Sequence, residues 1–104
     1  MGQFMVYANS NKQSNKTYPY LIDIQSNLLE DLKSTVVIPL MAVSGSGEVI
    51  TKLCPTFNIS GKKFVALTPQ LSGIDKTNLG KQVVDLTAHR HDLVAAIDFL
   101  ISGV

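Results

Sequence analysis

Apolar residues near the C-terminal end recur at intervals of three and four: Leu93, Ala96, Ile97, Leu100, Ile101 and Val104. That spacing draws one continuous stripe along a helix, so a helix is predicted after Thr87. Thr87 is placed as its N-cap, since a threonine hydroxyl can accept from the free N–H groups of a first turn. Gly103 stands where helices commonly end in a left-handed residue. A second stripe, His91, Ala95, Asp98 and Ser102, is thin and mixed in polarity, and is expected to meet a partner or water. Domain ends usually fray into polar residues unless packing ties them down. The last turn here carries no charged side chain, so cover is expected, from this domain's own sheet first or from a second protein.

Before Thr87 the pattern is that of strands. Gln3 to Tyr7 alternates, with Phe4 and Val6 on one side and Met5 and Tyr7 on the other. Ala8 to Lys16 is rich in Asn, Ser, Lys and Gln and reads as an exposed loop or mobile arm. Tyr18 to Gln25 resumes as a strand with Tyr20, Ile22 and Ile24 on one face, and Ser26-Asn27 breaks it. Leu28 to Leu32 is a short segment whose type the pattern leaves open. Thr35 to Met41 is β-branched and nearly all apolar, which predicts a buried strand. Pro39 inside it points to a bulge or a sheet edge, because proline cannot donate to a ladder. Ser44-Gly45-Ser46-Gly47 reads as a flexible connection. Thr56 to Ile59 and Lys63 to Leu67 flank a short glycine-bearing turn and form a hairpin. Pro69 to Leu79 is loop-like with a short strand at Ile74, and a last strand falls around Gln82 to Val84. Several antiparallel strands followed by one helix predict an α+β fold, a small curved antiparallel sheet or SH3-like barrel with one C-terminal helix, in a single domain spanning 1–104.

Charge and candidate chemistry narrow the function by exclusion. Acidic and basic residues nearly cancel, leaving a formal net charge of +1 and no global field to attract nucleic acid or anionic lipid. Arg90 is the only arginine, and arginine is the usual bidentate phosphate reader, so sequence-specific nucleic-acid binding is not expected. No apolar run reaches the length of a membrane span, and the N-terminal residues lack the regions of a signal peptide, so no membrane partner and a cytoplasmic location are expected. Val6 stands where a myristoylation signal needs Ser or Thr. The lone Cys54 permits no internal disulfide and reads as a half-buried strand cysteine.

The glycine-containing segments around Ser44, Gly61 and Gly80 are not followed by the Lys-Ser/Thr of a phosphate loop. His89 and His91, two residues apart, point to opposite sides of a helix, and no cysteine or carboxylate is spaced to complete a metal site. No nucleophile elbow surrounds a serine. Asp23, between Ile22 and Ile24, reads as a structural hydrogen-bonding residue. The expectation is therefore a protein that is not an enzyme, holds neither metal nor cofactor, and works by binding.

Three segments then acquire a family likeness: Gln3-Phe4-Met5-Val6-Tyr7, Leu21 to Leu29 with its Asp-Ile-Gln-Ser core, and Val37-Ile38-Pro39-Leu40. With Cys54-Pro55, Val84-Asp85-Leu86-Thr87 and the terminal Ala96-Ile97 and Gly103-Val104, they resemble the CcdB family of toxins in the right order along essentially the whole chain. The resemblance implies a small cytosolic homodimer with a barrel-like sheet and the two C-terminal helices near the dimer axis. It implies binding to the A subunit of DNA gyrase, trapping of the enzyme on cleaved DNA, and neutralisation by a CcdA-like antitoxin whose disordered segment folds on the toxin. Carried over by position, the gyrase-facing residues are Phe4, Ser26, Leu28, Leu29, Ala95, Asp98, Ser102, Gly103 and Val104. The dimer interface falls on Ile97, Leu100, Ile101 and Val104.

Two positions depart from the family pattern: its best-known members have a tryptophan at Ser102 and an asparagine at Asp98. Losing an anchoring tryptophan costs roughly 2 kcal/mol, about thirtyfold in affinity. Asp98 can offset part of this through a charge-assisted pair with a partner arginine. Two alternatives follow: a relative of the same fold that keeps antitoxin binding but has weakened or lost gyrase activity, and a ribonuclease toxin of the same architecture.

Overall fold

The structure is a computed structural model and describes residues 2–43 and 52–103. The serine-glycine connection at 44–47 and Val104 lie outside the described residues. Seven strands are described: β1 (Met5–Asn9), β2 (Tyr20–Asp23), β3 (Ser34–Ala42), β4 (Thr56–Ile59), β5 (Lys62–Ala66), β6 (Ser72–Asp75) and β7 (Leu79–Asp85). One helix follows, α1 (Arg90–Ser102). The sheet is antiparallel, in the order β4-β5-β3-β2-β1-β7, with β6 pairing beside β3. It is the curled α+β sheet with a C-terminal helix that the sequence predicts.

The two faces of this sheet follow from strict alternation. Val6, Ile22 and Ile38 stand opposite one another across β1, β2 and β3. They join Leu40, Phe57, Phe64, Leu86 and Leu93 in one core. Tyr20 packs edge-on to Phe64 with ring centroids 5.0 Å apart. The next row, Tyr7, Leu21 and Pro39, points the other way and is buried too, beneath the loop at 10–18 and the segment at 68–78. A strand covered on both sides must be apolar at consecutive positions, and β3 is.

Pro39 lies in the middle of the sheet and not on its edge. One side of β3 pairs with β6 through Ser34–Val37 and with β5 through Leu40–Ala42, so two short strands share a single flank. Pro39 sits at the handover. Its carbonyl accepts from the Leu67 N–H at 2.9 Å, and the donor it lacks would face that same flank, where no ladder runs. Neither the bulge nor the sheet edge expected at Pro39 is present; a change of partner along one flank accommodates the missing donor instead.

The other local elements refine the prediction. The β4–β5 turn is the pair Ser60 and Gly61, both at positive φ (53° and 80°), the two-residue hairpin geometry that favours glycine. Ala8 and Asn9 belong to β1, and the loop after them is tied down. The Asn9 side chain donates to Ser14 Oγ and to the Tyr18 carbonyl, and its Oδ1 accepts from the Asn11 N–H. Cys54 lies in the bend ahead of β4, half-buried and outside any strand.

Thr87 does not cap α1. Its N–H and hydroxyl both donate to Asp85 Oδ1, closing a turn that leads into a short 3-10 segment at Thr87–His89. Gly103 does end α1 in the left-handed conformation, φ 75°, with its N–H bonded to the Phe99 carbonyl. Only the first half of the predicted stripe is covered by the sheet. Leu93 and Ala96 are fully buried and Ile97 is half-buried, whereas Leu100 is 37% and Ile101 78% exposed. Leu93→Ala would remove the anchor of α1, a loss of about 2–5 kcal/mol.

Candidate functional site

Two exposed features stand out, both within the set read from the sequence. The first is the 3-10 turn Asn27–Leu29, capped by the Ser26 hydroxyl accepting from the Leu28 N–H at 3.2 Å. Behind it Asp23 is buried and accepts at Oδ1 from the Thr35 hydroxyl (2.7 Å) and the Gln25 N–H (3.1 Å). Gln3 braces the turn from the side, its N–H bonded to Asn27 Oδ1 and its side chain to the Ile24 carbonyl. This scaffold holds Leu28 almost wholly in solvent, 94% exposed, with Leu29 and Leu32 about half so. Leu32 was not singled out from the sequence; its signal is that it continues the apolar run begun by Leu28 and Leu29. A braced turn presenting leucines gains nothing for folding from their side chains.

The second feature is the uncovered end of α1. Asp98, Ser102 and Gly103 are exposed, while Ala95 is half-buried beside a shallow cleft formed with Lys52, Pro55 and His91. The Ser102 hydroxyl donates back to the Asp98 carbonyl at 2.7 Å, so it is engaged within its own helix. Lys52 lies 5.1 Å from the centre of the Phe99 ring, a cation–π contact that nothing in the sequence signalled. His89 packs edge-on to Phe57 at 5.1 Å, whereas His91 faces the shallow cleft.

Phe4 stands apart from the other residues carried over by family likeness. It is only 2% exposed and belongs to the core, so its side chain presents no surface to a partner. Its positive φ of 70° is held by two main-chain bonds, its N–H to the Asp23 carbonyl and its carbonyl from the Leu86 N–H. Phe4 thereby links β1 both to the end of β2, which carries the leucine turn, and to the lead-in of α1. Among the described residues no group of three His, Cys, Asp or Glu side chains is disposed to hold a metal. Two exposed carboxyls, Asp85 and Asp75, are held below the usual carboxylate range by hydrogen bonds from Thr87 and Thr77.

A curled antiparallel sheet with a C-terminal helix packed against it is a fold that known toxins share. The structure matches an endoribonuclease in complex with its cognate antitoxin from a Mycobacterial species, with a TM-score of 0.74 at 11% identity over 97% of this chain and 94% of that one. It matches the Mycobacterium tuberculosis toxin MazF-mt6 with a TM-score of 0.71 at 14% identity, over 92% of this chain and 94% of that one. At such identities the likeness is one of fold. The family assignment comes from the sequence: the model of the CcdB protein family matches residues 3–103, and the chain belongs to that family. It is a CcdB-family toxin of the toxin–antitoxin kind.

No helix among the described residues is long and apolar enough to cross a membrane.

Proposed function

We propose that this protein binds the A subunit of DNA gyrase, traps the cleaved-DNA complex, and is neutralised by a CcdA-like antitoxin. It acts by occupying a surface and not as an enzyme, in the cytoplasm, as a homodimer joined near α1. The observation that carries the reading is Leu28. A leucine 94% exposed on a rigid, side-chain-braced turn supplies about 1.5–3 kcal/mol only when a partner covers it. Asp98 and Gly103, exposed at the end of α1, add a second docking element. The chain's two departures from the family pattern both fall there.

A weakened relative that keeps antitoxin binding is the second reading, and Ser102 favours it. Its hydroxyl is spent inside the helix and offers a partner neither ring nor free donor. The test is a cleavage assay with purified gyrase, ATP and supercoiled plasmid. Linear DNA released by detergent and protease supports poisoning. A folded protein that yields none, yet binds antitoxin, supports the second reading. For the homodimer the exposed Leu100 and Ile101 are the support, and light scattering at micromolar concentration returning a monomer mass would overturn it.

A further inference from the structure

The sheet face turned away from α1 carries a cleft of about 210 Å³ that the gyrase reading does not use. Its floor is apolar, made by Leu21, Val37, Pro39 and Ile74. One wall is the loop bearing Asn11, Ser14 and Tyr18, and the other carries Gln70, Ser72 and Asn78. Two ties fasten the walls together: Tyr18 Oη donates to Gln70 Oε1 at 3.0 Å, and the Ser10 N–H donates to the Asn78 carbonyl at 3.1 Å. The loop owes its shape to Asn9, whose amide is spent on Ser14, Tyr18 and Asn11.

Every lining residue is uncharged. A phosphate, carboxylate or ammonium group would lose hydration there with no opposite charge to meet it. The walls nevertheless offer hydrogen-bonding groups engaged with no other described side chain: the Asn11 amide N–H₂, the Asn78 side chain, the Ser72 hydroxyl and the Gln70 amide N–H₂. Amide side chains beside an aromatic ring, over an apolar floor, suit a flat neutral group with apolar faces and a donor–acceptor edge. A lone amide lacks the apolar faces, and a sugar is not flat. Asn and Gln read base edges in pairs, and tyrosine stacks on base faces.

We propose that this cleft binds one unpaired nucleobase, from a free nucleoside or from a single strand. Lys12 and Lys16 are exposed on the loop wall, outside the neutral cleft, where the phosphates of a strand would run while the base sits inside. The cleft is single-residue in scale, equal to about seven waters at roughly 30 Å³ each. It reads one base and no sequence.

The experiment is an NMR titration of the full-length protein with uridine, cytidine, adenosine and guanosine, following the side-chain amide signals of Asn11, Gln70 and Asn78. Saturable shifts of these signals are expected with at least one nucleoside. Asn11→Ala and Asn78→Ala should each weaken binding about fivefold, the loss of one hydrogen bond. Ser72→Leu, with its fold checked by the backbone spectrum, should abolish it. A short single-stranded oligonucleotide that binds more tightly at low salt, and loses that gain in Lys12→Ala/Lys16→Ala, identifies a strand as the source. Binding of the nucleoside alone identifies the free molecule. Absence of shifts up to the solubility limit, equal shifts with ribose 5-phosphate, or indifference to both asparagine variants would overturn the proposal.

Discussion

The Thr35 hydroxyl and the Asp23 carboxylate meet at 2.7 Å in the interior, at the base of the β2–β3 connection that carries Leu28, the most exposed leucine among the described residues. The same carboxylate oxygen accepts the Gln25 N–H, so a single buried group sets the path by which β2 leaves the sheet and becomes the leucine turn. Asp23→Ala leaves the buried Thr35 hydroxyl unpaired and should cost about 1–3 kcal/mol in urea unfolding. Asp23→Asn keeps an acceptor and should cost less. Equal losses in the two variants would show that charge, not acceptance, is what matters at this position.

Leu28 should behave in the opposite way. Exposed as it is, Leu28→Ala should leave stability within about 0.5 kcal/mol of the parent. Under the gyrase reading it should weaken formation of the cleavage complex by roughly tenfold, in line with the apolar area a partner covers. Unchanged cleavage in this variant removes the leucine turn from the docking surface.

Tyr7 offers a stabilising change. It is 3% exposed, and among the described residues its hydroxyl has no hydrogen-bond partner. Removing an unsatisfied buried hydroxyl releases its desolvation penalty, so Tyr7→Phe should raise stability by up to about 1 kcal/mol in chemical denaturation. A loss of stability instead would reveal a partner for the hydroxyl in solution.

Acid should reach two turns only below the ordinary carboxylate range. The bonds from Thr87 to Asp85 and from Thr77 to Asp75 hold both carboxyls below their unfolded values. A depressed pKa gives stability that is present above the ordinary carboxylate pKa and is lost as pH falls through the folded value. Both groups are solvent-exposed, so the effect is local and small, and added salt should screen part of it. Chemical shifts at Thr77 and Thr87 should therefore move below the normal carboxylate range, and Asp85→Asn should abolish the movement at Thr87 alone.

Periodicity read the fold well wherever one face of an element decides its fate. The burial of Val6, Ile22, Leu93 and Ala96 follows directly from their spacing. At Leu100 and Ile101 it left the choice of cover open, because a stripe shows that a helix has an apolar face and not how far a neighbouring sheet extends along it. Thr87 misled for a different reason. Asp85, two residues earlier, competes for the same hydroxyl and wins, a turn signal legible in Asp-Leu-Thr. Strand β6 announced itself only at Ile74, since its pairing is dictated by the free half of β3. At the candidate site the leucine turn was named through family likeness alone: nothing in Leu28-Leu29 tells an exposed pair from a buried one. The burial of Phe4 was legible from alternation, which sets it on the same face as Val6, and that face is the core.

The handover at Pro39 makes β3 a bivalent strand, with two short ladders on one flank instead of one long one. Short ladders can part separately. The β6 segment can come away while β5, β3 and β2 stay joined, so local opening there need not threaten the core formed with α1. In native-state hydrogen exchange, the amides of Ser72–Asp75 would then form their own unit, opening at lower free energy than those of Leu40–Ala42. The proline thus divides the molecule into a part that holds its shape and a part that can yield.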